Sequence, residues 1–129
     1  SRASAGSSNV DDVDLLSDAS VWPLATIDPA GAWDDLEPLA RLIGEEVRVV
    51  AVGESTHGTH EFYALRHRLV RFLVECLNFT ALVWEAGFPE AFLVDDYVQG
   101  RHSDRDRALV EGVTMHQGRC EEMGALLDS

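Results

Sequence analysis

The chain has 129 residues, 46% of them hydrophobic and 26% charged, which is the composition of one globular domain. Its formal net charge of −13 argues against nucleic acids and anionic membrane surfaces as partners, and is compatible with a cationic small molecule. No apolar run of about 18 residues is present, so the sequence predicts no membrane-spanning helix.

We interpret residues 1–20 as a flexible N-terminal tail and residues 21–129 as the folded domain. Residues 1–9 are small and polar and lack the apolar core of a signal peptide. The two cysteines are too few for a disulfide framework, and Cys76 falls on the predicted buried face of a helix. We therefore expect reduced thiols and a cytoplasmic protein.

Three consecutive patterns predict a strand, a helix and a second strand. Residues 47–52 (VRVVAV) and 80–84 (TALVW) are apolar runs that are typical of strands buried on both faces. Between them, residues 60–77 repeat apolar side chains at helical spacing. The opposite, polar face of this helix is predicted to carry Glu61, Arg68, Arg71 and Glu75. Short links in this order predict parallel strands with a right-handed crossover.

Other helices are predicted on both sides of this unit. One begins near Asp34 or Asp35 and stops at Gly44, another occupies residues 89–98, and residues 107–129 are mostly helical. The predicted fold class is therefore α/β, with a βαβ-containing parallel sheet and flanking helices. Two strands are few for a parallel sheet. We therefore expect the N-terminal part of a larger α/β domain, an obligate oligomer, or a compact variant with unrecognised strands.

Ionisable side chains follow both predicted strands. Glu54 comes after the first strand, Glu85 comes after the second, and His57 lies in the loop beside Glu54. Because the carboxyl ends of parallel strands meet at one edge of a sheet, we expect these side chains to converge there. Arg66 borders the apolar face of the predicted helix and is expected to pair with Glu54 or Glu85. Such a set offers a base, two acids and a fixed positive charge for proton transfer.

The same residues also have ordinary structural explanations. Glu54 and His57 can cap the following helix, and the H-x-x-H-E spacing of residues 57–61 is not a zinc-protease motif. His60 and His67 are interpreted as packing or surface residues. Trp84 and Phe88 flank Glu85 and are interpreted either as core or as walls of an apolar pocket. We expect no cofactor, with metal ligation by Glu54 and His57 as an alternative.

Residues 49–98 contain three linked motifs that resemble the N-terminal region of the erythromycin esterase family. The first is G-E-x-x-H-G at residues 53–58, directly after the first predicted strand. The second is E-F-x-x-L-R-x-R-L at residues 61–69, and the third is E-A-x-F-x-E at residues 85–90. Three motifs in the same order are more specific than the glycine–glutamate pair alone.

The resemblance implies an α/β hydrolytic domain that hydrolyses the lactone ester of macrolide antibiotics, or a related ester. In that comparison His57 resembles the general base that activates water, and Glu54, Arg66 and Glu85 resemble residues that line and polarise the cleft. A small-molecule substrate, with a cationic macrolide as candidate, is the expected partner. Family members are several times longer than this chain. The alternative is therefore a non-catalytic binding or self-associating module, including a homo-oligomer, or an inactive fragment.

Overall fold

A computed structural model describes residues 22–53, 58–114 and 120–129 of the chain. Within these ranges 52% of the residues are helical. A 3-10 turn (Asp34–Leu36) leads into the first helix, and a π-helical segment (Ala108–Gly112) directly follows the fourth. The helices are α1 (Glu37–Ile43), α2 (His60–Leu77), α3 (Ala91–Val98), α4 (Arg105–Arg107) and α5 (Glu121–Leu127).

The 18-residue helix α2 has the bounds that its apolar spacing predicts. It ends at Asn78, whose φ of 60° is left-handed, and the Phe79 N–H donates to the Leu73 carbonyl at 3.0 Å. Asparagine tolerates this conformation better than most residues do, so it closes the helix without a glycine. The length of α2 is therefore determined by local sequence.

A small apolar core forms where α2 meets α5 and the π-helical segment. The residues buried in this core are Tyr63, Leu109, Val113, Met123 and Leu126. Full burial of one such large side chain contributes roughly 1.5–3 kcal/mol to stability. This contact therefore holds the last described helix against the first half of α2.

The segment that precedes α1 is held by Arg68 of α2. Its guanidinium donates to the Thr26 carbonyl at 2.9 Å, to the Ala32 carbonyl, and to the Asp35 carboxylate at 2.5 Å. The prediction that Arg68 lies on the polar face is wrong, because its side chain is 0% exposed. The expected burial of Cys76 is also wrong, since this thiol is exposed.

The predicted α/β fold class is wrong for the described residues, which contain no strand and no parallel sheet. Residues 47–52 and 80–84 are irregular, with Val49 82% and Val83 93% exposed. A buried strand needs neighbours that accept its backbone hydrogen bonds and layers that cover both faces. In the described ranges neither segment has such cover, so apolar composition alone does not produce a sheet.

The predicted tail, residues 1–20, lies outside the described residues. The assignment of residues 21–129 to one domain and the cytoplasmic location stay predictions. Among the helices of the described ranges, none has the length and apolar character needed to cross a bilayer.

Candidate functional site

Two of the four predicted site residues can be placed. Arg66 and Glu85 belong to the described residues, whereas Glu54 and His57 lie outside them. The expected convergence of the two glutamates and the histidine therefore stays a prediction. The sheet edge on which that expectation was based is absent from the described residues.

Arg66 is a partly buried residue of α2 that contacts two aromatic rings. Its guanidinium carbon lies 4.8 Å from the centroid of the Trp84 ring and 5.3 Å from that of Tyr63. A guanidinium over an aromatic face is attracted by the electron-rich ring, and Tyr63 is one turn away on the same helix. The carboxylate partner expected for Arg66 stays a prediction, and the contact with Trp84 was missed because Trp84 is distant in sequence.

Glu85 follows directly after Trp84, and its side chain is exposed. The contact between Arg66 and Trp84 brings this segment against α2. Two residues further on, the Gly87 N–H donates to the Thr114 hydroxyl at 3.0 Å, which ties the segment to the end of the π-helical region. Glu85 is therefore a solvent-accessible carboxylate on a segment that is fixed at both ends.

A pair of titratable residues was missed by the sequence interpretation. His60 Nδ1, at the start of α2, lies 2.5 Å from the Glu122 carboxylate, in the first turn of α5. The hydrogen bond with Glu122 raises the pKa of His60, and the same bond lowers the pKa of Glu122. Because these residues lie 62 positions apart, no local pattern in the sequence signals the pair.

His67 behaves as the packing residue that the sequence suggests. It is buried in α2, and burial, with Arg71 nearby, lowers its pKa. Its imidazole is therefore neutral at neutral pH. Within the part of the chain that the structure describes, its Nε2 has no hydrogen-bond partner.

The described ranges bring together no group of three His, Cys, Asp or Glu side chains able to hold a metal ion. The metal alternative, which involves Glu54 and His57, concerns residues outside those ranges. A shallow depression of about 740 Å³ lies between the ends of α3 and α5. It contains neither Arg66 nor Glu85, so it does not coincide with the predicted site. Its lining includes Tyr97, Arg101, His102 and Asp128.

Comparison with known proteins relates the chain to hydrolytic enzymes. It is 42% identical over 76 residues to a protein of Escherichia coli named erythromycin esterase type II, a match that covers 59% of this chain and 18% of that protein. It is also 42% identical over 43 residues to the Bacillus subtilis (strain 168) protein YbfO, whose name assigns it provisionally to the hydrolases. That second match covers 33% of this chain and 10% of YbfO.

These matches confirm the predicted relationship to the erythromycin esterase family. The chain spans less than a fifth of the length of the two relatives. No protein-family model matches it. No solved structure matches it either.

Proposed function

We propose that this chain carries part of the active site of an ester hydrolase of the erythromycin esterase type. The observation that carries this proposal is the 42% identity over 76 residues to the E. coli erythromycin esterase type II. The name of YbfO supports the same reaction class. The contact between Arg66 and Trp84 adds a structural argument, because it places the segment of Glu85 beside α2.

In the proposed reaction, neutral His57 takes a proton from a water molecule, and the water oxygen attacks the ester carbonyl carbon. The bond from that carbon to the alcohol oxygen then breaks, and the imidazolium returns its proton to the leaving alkoxide. Histidine suits both steps because its ordinary pKa lies near neutrality. No covalent intermediate with the protein is needed.

Glu54 and Glu85 are proposed to orient the imidazole and to stabilise its charged form, because a nearby carboxylate favours an imidazolium. Arg66 carries a guanidinium, a planar cation whose geometry suits pairing with carboxylates. Fixed against Trp84, it supplies a positive charge for these carboxylates or for the negative charge that develops on the carbonyl oxygen.

The proposed substrate is a small-molecule ester, with a cationic macrolide lactone as the candidate that the name of the E. coli relative suggests. The net charge of −13 favours the approach of a cation. Residues 47–53 and 80–84 contain no acidic side chain, so the negative charge is carried by the rest of the chain.

The test is a ring-opening assay in which the mass gain of one water by erythromycin is followed with the purified full-length protein that contains this chain. We expect His57→Ala to lower the rate by about 100-fold or more, the usual contribution of a general base. His102→Gln is the control, because His102 lies at the α3–α5 depression, and its rate should equal that of the wild type. Equal rates for His57→Ala and wild type would remove His57 as the base. No turnover of macrolides or simple esters would remove the hydrolase proposal.

A second candidate function, self-association without catalysis, is favoured by the exposed apolar side chains of Val49 and Val83. Exposed apolar segments with unpaired backbone groups are typical contact surfaces between chains. The molar mass in solution, measured by light scattering across a concentration series, decides this. A monomer at every concentration contradicts self-association, and a dimer without hydrolysis supports it.

A further inference from the structure

The starts of α2 and α5 are joined by one pair of ionisable side chains. The Nδ1 atom of His60 and an oxygen of Glu122 lie 2.5 Å apart, within hydrogen-bond distance of each other. His60 is exposed, whereas Glu122 is partly buried, with 24% of its side chain exposed. The thiol of Cys120, which precedes α5, also hydrogen-bonds this carboxylate.

Helix α5 depends on such tertiary contacts for its stability. It has only seven residues, and a helix of this length is not stable alone in water. Met123 and Leu126 bury its apolar side in the core shared with Tyr63 of α2. The pair of His60 and Glu122 lies at the end of this contact, where the helix would begin to separate.

We propose that His60 and Glu122 form a pH-sensitive clasp that holds the start of α5 against the start of α2. Among the described residues, the charges that act on His60 come from Glu122 on α5 and from Glu61 on its own helix. Cys120 shares the Glu122 carboxylate but carries no charge at neutral pH, because burial raises the pKa of its thiol. The attraction therefore depends on the charge states of His60 and Glu122.

The direction of the pH dependence follows from the pKa shifts of His60 and Glu122. The pKa of His60 lies above its ordinary 6.5. The stabilisation that charged His60 contributes is therefore fully present below pH 6.5 and is lost as the pH rises through the raised pKa. The pKa of Glu122 lies below its ordinary 4.5, so its contribution is present above pH 4.5 and is lost as the pH falls through the lowered value. The clasp is tightest in mildly acidic solution.

One consequence concerns the proposed base. His60 is three residues after His57, so the clasp restrains the chain just beyond that residue. This consequence rests on the proposed function, whereas the clasp itself does not.

The clasp is tested by NMR on the intact chain. The His60 ring resonance gives its pKa, and amide exchange of residues 121–127, corrected for intrinsic rates, gives the protection of α5. Between about pH 6 and pH 8 we expect this protection to fall roughly two- to fivefold, the range measured for exposed ion pairs. Glu122→Gln should bring the pKa of His60 down and remove the pH dependence of exchange in α5.

Glu61→Gln is the matched control, since it removes the other negative charge near His60 but leaves the hydrogen bond with Glu122. It should keep most of the pH dependence. His60→Asn provides an independent variant. In this variant the amide-exchange protection of α5 should not change between about pH 6 and pH 8. A wild-type His60 pKa at or below 6.5 would overturn the clasp, as would equal pH dependence in the wild type and Glu122→Gln. Neither readout involves hydrolysis, so a negative result here leaves the proposed function untouched.

Discussion

Replacing Arg68 by methionine is expected to destabilise the fold strongly. Methionine keeps an unbranched apolar stem but removes the guanidinium that holds the segment before α1. The Asp35 carboxylate then loses its cation, and the Thr26 and Ala32 carbonyls lose their donors. Because the side chains of Arg68 and Asp35 are only 0% and 13% exposed, water does not fully replace the lost hydrogen bonds.

The size of the stability loss expected for Arg68→Met follows from the contacts of Arg68. Its hydrogen bonds, with an added bond from the Ala25 N–H, lower the pKa of Asp35 from 3.8 to about 2 despite partial burial. That difference corresponds to about 2 kcal/mol of stability at neutral pH. The two carbonyl hydrogen bonds contribute about 1 kcal/mol each. The expected loss of about 4 kcal/mol lies in the range for breaking a buried ion pair.

Urea unfolding followed by far-UV circular dichroism measures this loss. Arg71→Met is the matched control, because Arg71 lies 5.6 Å from the Trp33 ring that Arg68 approaches to 5.8 Å. Arg71 also donates to the Pro29 carbonyl, but its side chain is 29% exposed, whereas that of Arg68 is 0% exposed. We expect the control to lose about 1 kcal/mol or less. Equal losses for the two variants would refute the argument from burial.

Three further predictions concern stability. The contribution of Asp35 is present above pH 3.8 and is lost as the pH falls through about 2, so urea midpoints should drop over this interval in the wild type but less in Asp35→Asn. Leu126→Ala should lose about 2–5 kcal/mol in the same assay because Leu126 is buried in the core, whereas the exposed Val110→Ala should lose less than about 0.5 kcal/mol. Gly112→Ala should lose about 1–3 kcal/mol, since a Cβ there would lie 2.7 Å from Val94 Cγ2 and 3.2 Å from the Glu90 carbonyl oxygen. Gly53→Ala is its control, because no atom of the described residues would lie within 4 Å of the added Cβ, and equal midpoints for the two variants would contradict the predicted clash.

In the candidate site, sequence motifs predict which residues share a helix but not which partners their side chains contact. The E-F-x-x-L-R-x-R-L motif places two arginines on one helix, but it does not distinguish their environments. Arg66 lies against Trp84, whereas Arg68 is fully buried in an ion pair with Asp35. The partners of both arginines come from other parts of the chain, which no spacing within the motif reveals.

The sequence alone determined features that depend on neighbours within a few residues. The extent of α2 follows from its apolar period and from Asn78, since both act within one or two turns. The relationship to the erythromycin esterase family is likewise a property of the sequence. Tertiary structure decided what depends on distant partners. Residues 47–52 and 80–84 have the composition of strands, yet in the described part of the chain they form none, because a strand requires backbone partners and covering layers. The pairs Arg68–Asp35 and His60–Glu122 likewise depend on tertiary structure. Folding brings their opposite charges together across 33 and 62 residues of sequence.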